Sequence, residues 1–180
     1  MGYTLFVVEV LIALGSNMGN SLSNLQEATK RLGESYEVMR VSSVYETAPM
    51  YVTDQPIFLN AAVLVKTNVG PRAILARLKQ LEQEIGRQVR HVCGPREIDL
   101  DLIAYGSASY RYVEGKTLKL QVPHPRVAER RFVLQPLADV APDYYLQGIG
   151  RVSDLLKQTE LQADSVTKLD HALLSIPSHQ

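Results

Sequence analysis

Apolar residues recur along this chain with two periods, and the switches between them divide it into elements. Residues 7–14 form a nearly continuous apolar run, which predicts a buried strand closed by the glycine-rich, short-side-chain loop 15–20. Leu22, Leu25, Ala28 (or Thr29) and Leu32 then fall at helical spacing, and Gly33 ends that helix. Residues 36–46, with Val38, Val41, Val44 and Tyr45, have a strand-like composition despite imperfect alternation. Residues 47–56 hold two prolines and no period, which marks a long loop; 58–66 return to a strand interrupted by one polar amide, Asn60. Pro71 opens a second helix whose Ile74, Leu78, Leu81 and Ile85 share a face, and Gly86 closes it. From Ile98 to Tyr105 the chain alternates, and 118–122 read as one more short strand. Beyond Pro123 the signal weakens: 127–135 predict a helical turn or short helix, 136–143 an irregular stretch, and Ser153 the start of a terminal helix.

Strand, helix, strand, strand, helix, strand is the order of two split βαβ units. The expected fold class is α+β, a ferredoxin-like antiparallel sheet with two helices on one face plus a C-terminal extension, all within a single domain 1–180. The length of 180 residues and 46% hydrophobic content suffice for such a core. Lys plus Arg and Asp plus Glu balance at 19 each, so no overall field favours nucleic acid or an anionic membrane, and any phosphate site must be a local cluster. The single cysteine, Cys93, excludes an internal disulfide and suits a reducing compartment. The apolar opening 3–14 is interrupted by Glu9, lacks a basic flank and is too short to span a bilayer; a buried strand explains it better than a leader. Only the polar end 175–180 reads as a tail.

Chemistry concentrates around the alternating strand. Asp99 and Asp101 share one parity, with Ile98, Leu100, Leu102 and Ala104 on the other, so both carboxylates stand side by side on one face. Paired carboxylates suit a hard cation such as Mg²⁺, which completes its shell with water and substrate phosphate. Arg96 lies at the strand mouth, and with Arg87, Arg90 and His91 it forms a basic cluster near the pair. The same pattern also fits a solvated strand edge or a structural salt-bridge network, and Asn60 also fits an amide satisfied by neighbouring backbone. The loop 15–20 lacks the Gly-Lys-Ser/Thr ending of a P-loop.

Five blocks in order carry a resemblance. They are Ala13-Leu14-Gly15-Ser16-Asn17, Tyr45-Glu46-Thr47-Ala48-Pro49, the run from Asp54-Gln55-Pro56 to Phe58-Leu59-Asn60-Ala61, the run Gly94-Pro95-Arg96 through Ile103, and Pro123-His124-Pro125-Arg126 with Glu129 to Leu134. Together, from about Val10 to Pro142, they resemble 6-hydroxymethyl-7,8-dihydropterin pyrophosphokinase, the folate-pathway enzyme that moves a pyrophosphoryl group from ATP to a pterin. The resemblance implies that Asp99 and Asp101 hold two Mg²⁺ ions and act with Arg87 and Arg96 in catalysis. It implies that Glu82, Leu102, His124 and Arg130 serve ATP, while Thr47, Ala48, Pro49, Met50, Phe58, Asn60 and Phe132 enclose hydroxymethyldihydropterin. Cys93 stands where the family often has a residue able to stack, and the role of Arg90 does not carry over.

The implied reaction is attack of the pterin hydroxymethyl oxygen on the β-phosphorus of ATP with release of AMP, and the loops 47–57 and 87–95 are expected lids. The basic residues of 87–93 are expected to repel one another until a triphosphate arrives. The competing class is a non-catalytic ferredoxin-like module, either a nucleotide sensor or a binder of single-stranded RNA; the latter needs an exposed basic sheet face, and two aspartates there disfavour it. The expected partners are small molecules, with neither nucleic acid nor membrane, and fusion to or association with other folate-pathway enzymes. The 47–55 block resembles eukaryotic fused forms. The expected location is cytoplasmic, or mitochondrial for a eukaryotic fused enzyme.

Overall fold

The apolar opening run becomes the middle of the sheet. The computed structural model describes residues 6–50, 54–88, 90, 94–171 and 173. β1 (Val8–Ser16) leads through Asn20, whose side chain accepts from the Ser23 N–H, into α1 (Ser21–Ser35). β2 (Glu37–Val41), β3 (Val44–Thr47) and β4 (Phe58–Thr67) come next, then α2 (Pro71–Glu84) and β5 (Asp99–Tyr105). β4 and β5 flank β1 on either side, all antiparallel, and β2 and β3 pair with successive halves of β4. This is the expected ferredoxin-like arrangement.

The single strand expected over 36–46 is thus two. Ser42 makes the break: its N–H donates to the Ala62 carbonyl, and its hydroxyl accepts from the Ala62 N–H. A side chain pairing with the backbone in place of a ladder bond has no periodic signature.

Because β1 is buried on both faces, its parities feed two cores. Val10, Ile12 and Leu14 pack with Leu25, Leu32, Leu78, Leu81 and Leu100 beneath α1 and α2. Leu11 and Ala13 pack with Ala62, Leu64 and Ile103 against the opposite layer.

That layer comes from the C-terminal third. A hairpin, β6 (Tyr110–Glu114) and β7 (Thr117–Val122), turns at Gly115, whose φ of 60° favours glycine. α3 (Arg131–Val140) lies across the sheet and buries Val133, Leu134, Leu137 and Val140. Residues 136–143, expected to be irregular, are therefore helical as far as Val140. Pro136 removes one backbone donor, but burial of a continuous apolar stripe outweighs that loss. β8 (Tyr145–Leu146) and β9 (Gly150–Arg151) form a small hairpin before α4 (Val152–Gln158). β10 (Val166–Leu169) returns to pair with β3 as an edge strand. With α3 over it, this face of the sheet is not open to bases, so the RNA-binding alternative lacks its surface.

Candidate active site

The sheet register builds a floor at one end, under the start of α3. Gly15 of β1 lies between Asn60 of β4 and Asp99 of β5. A Cβ on Gly15 would meet Asn60 Oδ1 at 3.3 Å, so the glycine keeps this floor open. Above it is a cavity of about 400 Å³, lined among others by Thr47, Phe58, Asn60, Asp99, Asp101 and Phe132.

One wall is flat and nearly neutral. The buried Asn60 donates from Nδ2 to Thr47 Oγ1 at 2.7 Å, which fixes the amide plane. Phe58 and Phe132 face the same space, the Arg96 guanidinium lies 5.6 Å from the Phe58 ring centre, and the Arg130 guanidinium lies 5.8 Å from that of Phe132. Asn17 secures the rim: its Nδ2 donates to Gln55 Oε1 at 3.1 Å and the Pro56 carbonyl at 3.0 Å, while its Oδ1 accepts from the Arg96 N–H at 2.8 Å.

The opposite wall is charged. Asp99 accepts from Arg87 at Oδ1, 2.6 Å, and from Arg96 at Oδ2, 2.7 Å. Burial pushes its pKa upward, but the charges of Arg96, Arg87 and Lys79 outweigh that and hold it below the usual carboxylate value. Asp101 is half-buried and lines the cavity, and its carboxylate has no hydrogen bond or ion pair to a described residue. His124 is held beside β5 by a bond from its N–H to the Ile103 carbonyl at 2.9 Å. Desolvation lowers its pKa, while Asp101 pulls the other way. Arg96 Nε is buried without a hydrogen-bond partner among the described residues.

Most of the expected site residues converge here: Arg87, Arg96, Asp99, Asp101, His124, Arg130, Thr47, Ala48, Met50, Phe58, Asn60 and Phe132 all line the cavity. Three do not. Pro49 is half-exposed beside it. Leu102 is 3% exposed within the core under α1 and α2, because its parity on β5 is opposite to that of the aspartates. Glu82, also 3% exposed, lies beneath the charged wall as its anchor: it accepts from Lys79 Nζ at 2.6 Å, Arg87 Nη1 at 2.6 Å and the Leu100 N–H at 2.7 Å. Lys79, a lining residue outside the expected set, sits three positions before Glu82 on α2; that spacing was its available signal.

Arg90 points away from the cavity and grips Glu97 through two bonds, 2.9 and 2.7 Å. The two described arginines of this segment are thus compensated within the chain, Arg87 by Glu82 and Asp99, and Arg90 by Glu97; they are not left to repel one another. His91 and Cys93 lie outside the described residues, as do 51–53 of the other expected lid. A second, more open groove beside the start of α2, of about 740 Å³, is lined by Arg72, Leu75, Tyr110 and Tyr112 and shares Lys79 with the cavity.

Residues 11–142 match the family model of 7,8-dihydro-6-hydroxymethylpterin-pyrophosphokinase. The chain is 42% identical over 131 residues to the 2-amino-4-hydroxy-6-hydroxymethyldihydropteridine pyrophosphokinase of Bacillus subtilis, covering 72% of this chain and 75% of that one. The corresponding protein of Aquifex aeolicus is 37% identical over 134 residues, 74% of this chain and 81% of its own. A mitochondrial folate synthesis bifunctional protein of Pisum sativum is 49% identical over 133 residues, 73% of this chain; the match spans only 25% of the pea protein. Among solved structures, wild-type Plasmodium falciparum HPPK-DHPS superposes with a TM-score of 0.69 at 15% identity, over 88% of this chain and 46% of that one, which speaks to fold alone.

Proposed function

The chain belongs to the 7,8-dihydro-6-hydroxymethylpterin-pyrophosphokinase family, and from that premise we propose that it transfers pyrophosphate from ATP to 6-hydroxymethyl-7,8-dihydropterin, releasing AMP. One observation carries this reading: a flat amide-and-aromatic wall and a carboxylate-and-arginine wall share a single cavity. A planar heterocycle suits the first, with Asn60 reading its edge and Phe58 and Phe132 against its faces. Its hydroxymethyl arm then reaches toward Asp99 and Asp101.

The donor set fits Mg²⁺. Asp99 and Asp101 offer hard oxygens from one strand face, and no group of three or more His, Cys, Asp or Glu gathers to hold a metal among the described residues. A cation held by two carboxylates and completed by phosphate is the habit of Mg²⁺. Bound there, two ions would neutralise the transferring group and activate the attacking oxygen.

The protein's part is placement and charge. Arg87 and Arg96, now on Asp99, are positioned to turn onto the triphosphate, with Arg130 and Lys79 completing a cationic rim and His124 beside it as a hydrogen-bonding group. The open groove sharing Lys79 offers room for the nucleoside end. In the transfer, a bond forms between the hydroxymethyl oxygen and the β-phosphorus as the bond from that phosphorus to the α–β bridging oxygen breaks. The hydroxyl proton leaves to solvent, and AMP carries the bridging oxygen away.

We read the chain as one pyrophosphokinase domain that acts in folate biosynthesis, alone or joined to another enzyme of that route as in the pea protein. No helix among the described residues is long and apolar enough to cross a membrane; the cytoplasm, or the mitochondrion for a eukaryotic fused form, is the compartment this reading favours. The test is AMP formation with ATP, Mg²⁺ and the pterin, each omitted in turn. AMP only with all three supports the transfer; nucleotide binding without turnover would make the chain a sensor.

A further inference from the structure

The family match ends at residue 142, yet contacts from the C-terminal segment reach back to the site. α3 begins at Arg131 without a capping side chain from its own start. The orphan N–H of Arg131 instead donates to Gln162 Oε1 at 3.3 Å, and Gln162 Nε2 donates to the Glu129 carbonyl at 3.2 Å. One amide, using both its acceptor and its donor, therefore spans the backbone on either side of Arg130. The Arg131 side chain, 11% exposed, adds a bond to the Leu156 carbonyl at 3.1 Å and an ion pair to Glu160 at 3.5 Å. The same segment continues into β10, which sets Val166 opposite Thr47 on β3. Both sides of the slot, Phe132 with Arg130 and Thr47 with Asn60, are thus backed by residues beyond the matched region.

Accepting the pterin-binding role of the slot, we propose that Gln162 is a positioning residue for it: the amide acts through the Glu129–Arg131 backbone to hold Phe132 at the angle that stacks on the pterin. Nothing in the local sequence of Gln162 suggests this, because the contact joins positions 31 residues apart. Leu161, its neighbour, is fully exposed and serves as the control.

The experiment is calorimetric titration of the full chain with 6-hydroxymethyl-7,8-dihydropterin in the presence of Mg²⁺ and a non-hydrolysable ATP analogue. It compares the unaltered chain with Gln162→Ala, Phe132→Ala, the double variant and Leu161→Ala, with melting curves confirming that each is folded. Gln162→Ala should raise the pterin Kd about three- to ten-fold, the worth of one or two hydrogen bonds, while Leu161→Ala changes nothing. Because Gln162 acts through Phe132, the double variant should lose no more than Phe132→Ala alone. In turnover, Gln162→Ala should raise the pterin KM more than it lowers kcat. An unchanged Kd in Gln162→Ala, or additive losses in the double variant, would overturn the proposal. Failure of the unaltered chain to bind pterin at all would instead overturn the functional reading beneath it.

Discussion

Gly15 shows how much of the site depends on a single atom's absence. It has no unusual φ, so alanine is conformationally acceptable there; the obstacle is the Asn60 amide 3.3 Å from the new methyl group. Moving that amide disturbs its bond to Thr47 and the edge proposed to read the pterin. Gly15→Ala is expected to weaken pterin binding by about 1–3 kcal/mol, the scale of mild overpacking, with little effect on ATP binding. Titration of each ligand checks this. The parity of Asp99 and Asp101 made the carboxylate pair legible in the sequence, and the same parity rule places Leu102 in the opposite core. Among the supporting ions, Glu82 was reached only through the family resemblance and Lys79 only through its spacing from Glu82, because both meet Arg87 and β5 only after α2 has docked. Glu82→Gln leaves the half-buried Arg87 and the partly exposed Lys79 each short of one anion and is expected to cost about 1.5–3 kcal/mol of stability, the scale of hydrogen bonds to charged groups. Denaturant unfolding measures it, and ATP affinity should fall alongside as Arg87 loses its direction.

Among the elements, the helices arise from periodicity, because each buries one stripe, while the central strands β1 and β4 arise from nearly continuous apolar runs that are buried on both faces. What periodicity could not supply is what depends on distant partners. Ser42 divides β2 from β3 by bonding to Ala62, and β10 exists because β3 has a free edge. The hairpin β6–β7 did have a signal, Gly115 between two runs rich in tyrosine and aliphatics. α3 is joined to β3 by the Tyr45 hydroxyl, which donates to both carboxylate oxygens of Asp139 at 2.9 Å. Burial, reinforced by that carboxylate, pushes the Tyr45 pKa from 10.0 up to about 12. A pKa raised on folding means the unfolded chain ionises first; the stabilisation is complete below pH 10 and lost as pH rises through about 12. Stability should therefore fall across that window more steeply in the unaltered chain than in Tyr45→Phe, as melting curves at successive pH values would show.

For the molecule as a whole, the balance of 19 acidic and 19 basic residues means that phosphate attraction comes from one corner. The arginines there are partly exposed, so salt screens them over about 8 Å at physiological ionic strength. The KM for ATP should rise with added salt while the pterin KM moves less, since the proposed pterin slot offers aromatic faces and an amide in place of charges. Pyrophosphate transfer at the proposed site, the face of β5 carrying Asp99 and Asp101, requires the Asp101 carboxylate, and no described residue depends on that carboxylate for a bond. The measurement is the rate of AMP formation by Asp101→Ala at saturating ATP, Mg²⁺ and pterin, beside its melting midpoint. The expected result is a fall of at least about 100-fold, the scale of losing one group that stabilises a transition state, with the midpoint nearly unchanged. A rate close to that of the unaltered chain would contradict it.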